Sequence, residues 1–300
     1  PGALCHITLD AKVKRGADRP EVYTGLEVGR SHPRSIGKVL HPETPTDELS
    51  LVWFERNDGV TDADLLAALV QDNGNPTFLG GGGDGEPFAP DALKGEESDP
   101  DVATRAATGL CALDEVTDIA IVAAPDIAAL PEGSQKTAVD AVIQHCEENR
   151  YRIGIIDPPS ADTSISKIRD FRSQFDTKYA ALYYPWVDIL DPTAKNDPGA
   201  PPVTVSLPPS GLAAGIDARS DIERGGDKAP ANEVLLGMSR FRANVTADRQ
   251  AVLNPEGINA LRFFRGRSNR VWGARTMSSD PEWKYVNVRR LFIFLEHSID

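Results

Sequence analysis

Three short apolar runs, DIAIVAAPD (118–126), YRIGIIDPP (151–159) and KYAALYYPWVDIL (178–190), alternate with two helix-patterned stretches, EGSQKTAVDAVIQHCEENR (132–150) and SISKIRDFRSQF (164–175). A strand that is apolar at every position must be covered on both faces, and parallel neighbours can be joined only through a crossover. Strand, helix, strand, helix, strand with short links therefore predicts an α/β fold with a parallel sheet and right-handed crossovers.

The flanking segments read differently. Residues 1–60 are β-rich in pattern, and SLVWFER (50–56) alternates like a strand before the turn signal NDG. Thr61 can cap a short helix over TDADLLAALVQDNG, with Leu65, Leu66 and Leu69 on one face and Gly74 at its end. The pattern predicts a β-rich domain over 1–85, an acidic Gly/Pro-rich linker over 86–101, and the α/β domain over 102–300. Within the last, ATRAATGLCALDEV, PPSGLAAGIDARSDIERGG, NPEGINALRFF (254–264) and VNVRRLFIFLEHSI (286–299) suit helices. RVWGARTM (270–277) suits a strand, and KAPANEVLLG (228–237) a turn with a short extended piece.

Charge is polarised along the chain. Residues 41–101 hold fifteen Asp/Glu against Arg56 and Lys94, as acidic as the whole molecule at −13. Residues 262–290 hold eight Lys/Arg against Asp280 and Glu282, with Trp272 and Trp283 among them. Such polarity can steer one copy onto the next. The same segment has the basic-plus-aromatic make-up of a nucleic-acid surface. Binding modules of that kind are basic as a whole, whereas this chain is acidic, so a protein–protein role takes precedence.

Several chemistries find little support. The three cysteines (Cys5, Cys111, Cys146) are odd in number and contain no CxxC pair, which argues against a disulfide framework or a zinc cluster and fits a reducing compartment. GGGGDG (80–85) is followed by Glu86-Pro87 rather than Lys-Ser/Thr, so it is a flexible turn and not a phosphate loop. The longest apolar run, LFIFL (291–295), is far too short to cross a bilayer, and no charged-then-apolar leader is visible. No metal or cofactor is expected. Asp126 and Asp157 end apolar strands, where open α/β sheets place ligands. Ser210 in PPSG has an elbow-like setting without the leading glycine. An α/β hydrolase-like enzyme using Asp126, Asp157 and Ser210 is thus the alternative reading. The five histidines (His6, His32, His41, His145, His297) are dispersed, and none adjoins a nucleophile in sequence.

From residue 80 onward the chain resembles the contractile tail sheath proteins of bacteriophages and phage-derived contractile injection systems. The resemblance rests on LGGGGDG (79–85), GLCALDEVTDIAIVAAPD, CEENRYRIGIIDPP, YAALYYPWVDILDP, PPSGLAAGIDARSDIERGGDKAPANEVLLG and LNPEGINALRFFRGRSNRVWGARTMSSDPEWKYVNVRRL. Residues 1–79 match only loosely, as the variable, outward-facing domain of that family does.

The resemblance implies a non-catalytic sheath domain of subtilisin-like topology. It further implies copies that stack helically as hexameric rings around an inner tube protein, in contact with a baseplate and a tail terminator. Sliding into a shorter, wider packing drives the tube through an envelope, with no nucleic acid bound and no insertion into a membrane. The location implied is the virion tail sheath, assembled in the bacterial host cytoplasm. Arg262, Arg265, Arg267, Arg270, Arg275, Arg289 and Arg290 become candidate interface residues. Pro230, Asn232, Trp272, Gly273 and Trp283 become structural ones. The chain begins at Pro1 without a methionine and lacks the terminal arms of the family, so a truncated or processed chain is expected. Such a chain should keep its folded body and lose most of its polymerising grip.

Overall fold

The computed structural model describes residues 6–14, 20–40, 52–71, 87–102, 106–160, 163–192 and 201–299. The chain divides into two compact units, Pro1–Asp84 and Gly85–Asp300.

In the first unit, β1 (Leu9–Val13) and β2 (Glu21–Leu26) form an antiparallel hairpin, followed by the helices α1 (Ile36–Val39) and α2 (Asp62–Gln71). Leu26, Ile36, Leu40 and Leu65 make its core. Thr61 starts α2 through a reciprocal cap: Asp64 N donates to Thr61 Oγ1 at 3.2 Å, and Thr61 N donates to Asp64 Oδ2 at 3.1 Å. Residues 52–56 of the SLVWFER segment form no strand. Val52 and Phe54 pack on the core, and Phe54 N donates to Leu40 O at 2.6 Å. Positions 50–51 and the GGGGDG run lie outside the described residues.

The second unit begins with α3 (Pro90–Lys94), inside the stretch read as a linker, where Leu93 packs against the main core. The helix expected over 103–116 is a 3-10 turn, Gly109–Leu113, with 103–105 outside the described residues. Then follow β3 (Ile121–Ala123), α4 (Glu132–Asn149), β4 (Ile153–Ile156), α5 (Ile165–Arg172) and β5 (Ala180–Tyr184). After Pro185 the third apolar run continues as a separate strand, β6 (Val187–Leu190). Next come β7 (Thr204–Leu207), α6 (Ser210–Arg224), β8 (Arg240–Phe241) and α7 (Ala247–Leu253). The final elements are β9 (Ile258–Phe264), β10 (Ser268–Trp272) and α8 (Val286–Ile299).

The fold is mixed α/β around a mostly parallel five-stranded sheet of order β10-β9-β5-β4-β3, in which only β10 runs antiparallel. A small antiparallel sheet, β7-β6-β8, stands apart. Side chains alternate between two cores, as strand geometry requires. Ala180, Leu182 and Tyr184 of β5 join α4 and α5 on one face, whereas Ala181 and Tyr183 join α6 and α8 on the other.

The sequence expectation of a helix over 254–264 is overturned. Asn254–Glu256 is one 3-10 turn that ends at Gly257, and residues 258–264 become the fourth parallel strand. Gly257 adopts φ 77°, and a Cβ there would lie 2.6 Å from Thr276 O, so glycine both stops the turn and admits the neighbouring chain.

Beyond β10, residues 232–235 continue the ladder. Asn232 N donates to Val271 O (2.7 Å), Val271 N to Glu233 O (3.1 Å) and Leu235 N to Asn269 O (2.9 Å). The APAN turn thus covers that sheet edge, with Pro230 buried and Asn232 in the left-handed region at φ 69°.

Candidate functional site

Of the three residues in the enzyme reading, two come together. β4 leads into Asp157, whose Oδ1 accepts from Ser210 N at 2.8 Å, the first residue of α6. A carboxylate at a helix N-terminus satisfies a free N–H and the positive end of the dipole. Burial pushes the Asp157 carboxyl up to about 6, and the hydrogen bonding from Ser210 pulls the other way. Ser210 is fully buried, and its Oγ finds no partner among the described residues. Asp126 is exposed in the turn Pro125–Ala129 and shares no hydrogen bond with either. A nucleophilic serine needs an adjacent base. Among the described residues no histidine bonds to Ser210. His145 faces Arg152 and Asp114, and His297 stacks near Tyr151 at 4.9 Å. This pair acts as a helix cap.

Two of the candidate interface arginines are buried instead. Arg289, at 1 % exposure, lies between the rings of Tyr179 (4.7 Å) and Trp283 (4.9 Å), and its Nη2 donates to Glu296 Oε2 at 2.6 Å. Trp283 also stacks under Lys178 Nζ at 4.3 Å and meets Phe292 edge-on. Arg290 grips Asp221 with both terminal nitrogens, and Asp217 Oδ1 is 3.6 Å from its Nη1. The helical period of α8 places Val286, Arg289, Arg290 and Ile293 on one inward stripe, which turns the two arginines into the unit.

The other arginines belong to the β9–β10 hairpin and its surroundings. Arg262 Nε donates to Val245 O (2.8 Å) and its guanidinium covers Phe264, which stacks on Trp272 at 4.5 Å. Arg270 Nε donates to Arg267 O (2.8 Å), and its Nη1 donates to Asn232 O. Arg275 bonds Asn259 through its backbone and approaches the Tyr285 ring at 5.8 Å. Gly273 is required by closeness: a Cβ would meet Asn259 Oδ1 at 2.8 Å. Arg265 and Arg267 differ. Both sit exposed at the hairpin tip, around Gly266, and their guanidinium groups have no ion pair among the described residues. Phe263 beside them is 63 % exposed. The sequence groups Phe263 with Phe264 and Trp272, as a nucleic-acid surface or as core; as part of the strand 258–264, Phe263 is exposed while its neighbours Arg262 and Phe264 are half-buried.

Among the described residues no group of His, Cys, Asp and Glu is arranged to hold a metal, and no helix is long and apolar enough to cross a membrane. Residues 95–277 match the phage tail sheath protein central domain. A putative prophage major tail sheath protein of Pseudomonas aeruginosa is 27 % identical over 170 residues, covering 55 % of this chain and 41 % of that protein. The tail sheath protein of Escherichia phage P2 is 26 % identical over 172 residues, with the same coverage. A chain in the anti-feeding prophage baseplate in its contracted state superposes with a TM-score of 0.50 at 29 % identity, over 63 % of this chain and 49 % of that one. The chain therefore spans under half the length of these relatives. With more than half of its residues matched to the central domain, the chain belongs to the phage tail sheath protein family.

Proposed function

We propose that this protein is a structural subunit of a contractile tail sheath. Copies form hexameric rings stacked helically around an inner tube, between a baseplate and a tail terminator. Triggering moves them into a shorter, wider packing that drives the tube through a target envelope. The observation that carries this reading is the family match over 95–277, which falls on the unit that holds the five-stranded sheet. Its central strands β4 and β5 are buried on both faces, and a close-packed body of that kind moves as a rigid piece. A machine with two packings of one rigid body stores its free energy at the interfaces between copies.

In this reading residues 1–85 face outward, and 102–300 form the sheath domain with a subtilisin-like topology and no catalytic role. The particle is a phage or phage-like tail, assembled in the host cytoplasm. Electron microscopy of the full-length protein expressed alone tests it: regular helical tubes support the reading, and a persistently monodisperse monomer would refute it.

A further inference from the structure

The opposite edges of the central sheet carry complementary features. At one end of the strand order, the β9–β10 hairpin presents exposed Phe263 flanked by Arg265 and Arg267, whose guanidinium groups have no ion pair among the described residues. At the other end, beside β3, lies a cleft of about 660 Å³ between the start of β3, the end of α6 and α8. Its apolar lining includes Ile119, Tyr151, Leu291 and Phe294, of which Phe294 is 66 % exposed. Its rim carries Asp118 and Asp227, both exposed and without an ion pair among the described residues. The Arg290 guanidinium that also reaches this cleft is already held by Asp221.

We propose that the hairpin of one copy docks in this cleft of the next, Phe263 meeting the apolar lining and Arg265 and Arg267 facing Asp118 and Asp227. The inference rests on the sheath reading and names the surfaces through which copies meet. Three physical points support it. A large aromatic side chain flanked by arginines is the composition of an interface anchor. Two free cations meeting two free carboxylates fix register and favour encounter. Finally, hairpin and cleft lie at opposite ends of the sheet, so one molecule cannot close the contact on itself. A head-to-tail contact of this kind propagates, giving rings if the rotation closes and helices if it does not.

The test uses the full-length protein and measures pelletable polymer and tube images. R265E/R267E and, separately, D118K/D227K are each expected to cut assembly about tenfold, since like charges then meet. Combining all four changes restores the charge match and is expected to recover assembly. Because the changed side chains are exposed and have no ion pair among the described residues, thermal unfolding midpoints should stay close to the parent. In tubes of the otherwise unmodified protein, S268C at the hairpin tip with T117C at the cleft, which spare the anchor, should give an intersubunit disulfide ladder on oxidation. Charge variants that assemble with unchanged yield and salt sensitivity, or a double-cysteine protein that forms tubes without a ladder, would overturn the contact while leaving the sheath reading intact. If the unmodified protein forms no tubes at all, the sheath reading itself fails.

Discussion

The side-chain amide of Asn259 closes two hydrogen bonds on the backbone of Arg275: Nδ2 donates to Arg275 O at 2.7 Å, and Arg275 N donates to Oδ1 at 2.7 Å. Asn259 is fully buried in β9, so its amide stands in for a missing strand neighbour and ties the 273–276 segment to the sheet. Asn259→Ala leaves the part-buried N–H and carbonyl of Arg275 unmet, at about 1–2 kcal/mol each. Urea unfolding should show a loss of roughly 2–4 kcal/mol with the m-value unchanged. Gly273→Ala should come close to that loss, since its new methyl meets the same amide.

This pair also marks where sequence patterning works and where it stops. Apolar runs such as Ile153–Ile156 and Ala180–Tyr184 read directly as buried parallel strands, because both faces must be apolar. The stripe Ala138, Val142 and Cys146 likewise predicts α4. β9 was hidden because Asn259 and Arg262 interrupt its apolar pattern, and because Asn254-Pro255-Glu256 imitates a helix start. Asn259 is tolerable only through Arg275, sixteen residues away, and no local window contains that fact. The burial of Arg289 and Arg290 was equally illegible. Charge alone puts arginine outside, and only the aromatic pair Tyr179–Trp283 and the carboxylates of α6 make an inward site acceptable.

His145 predicts an acid limb to stability. Arg152 Nη1 donates to His145 Nε2 at 2.9 Å, which leaves the imidazole proton on Nδ1, 3.2 Å from Asp114 Oδ1. Burial and the Arg152 charge hold its pKa below the ordinary histidine value, with Asp114 and Glu148 opposing. A depressed folded value means that this contribution is complete above the ordinary value and is lost as pH falls through the lowered one. His145→Gln should lower stability at pH 7 and flatten its decline on acidification, as read by unfolding midpoints at stepped pH.

Asp217 works in the opposite direction. Burial pushes its carboxyl up to about 6, against the pull of Arg290. With a raised folded value, its contribution is complete below the ordinary carboxylate range and is lost as pH rises through about 6. At neutral pH the ionised group is a net cost. Asp217→Asn should therefore raise stability at pH 7 by about 1–3 kcal/mol and give no advantage near pH 4. Arg290 keeps Asp221 in the variant, so the guanidinium is not left unpaired. An equal gain at both pH values would contradict the assignment.

Arg289 and the pair Arg265/Arg267 belong to one basic segment and should respond to mutation in opposite ways. Arg289 is buried between two rings with the partly exposed Glu296 carboxylate at its tip, and truncating it forfeits two stacked cation–π contacts worth about 0.5–2 kcal/mol each. Arg289→Lys retains the charge but loses the flat surface that stacks on Tyr179 and Trp283, so it should recover only part of that loss. Arg265→Ala with Arg267→Ala removes exposed groups that have no ion pair among the described residues, and should leave unfolding free energy within about 0.5 kcal/mol of the parent. Thermal and urea unfolding of the monomeric body separate the two cases. If Arg289→Ala proves neutral while the hairpin pair destabilises, the division between bracing and contacting arginines is wrong. If the order holds, the hairpin arginines are available for partners at no cost to the fold, which is the condition an assembly contact must meet.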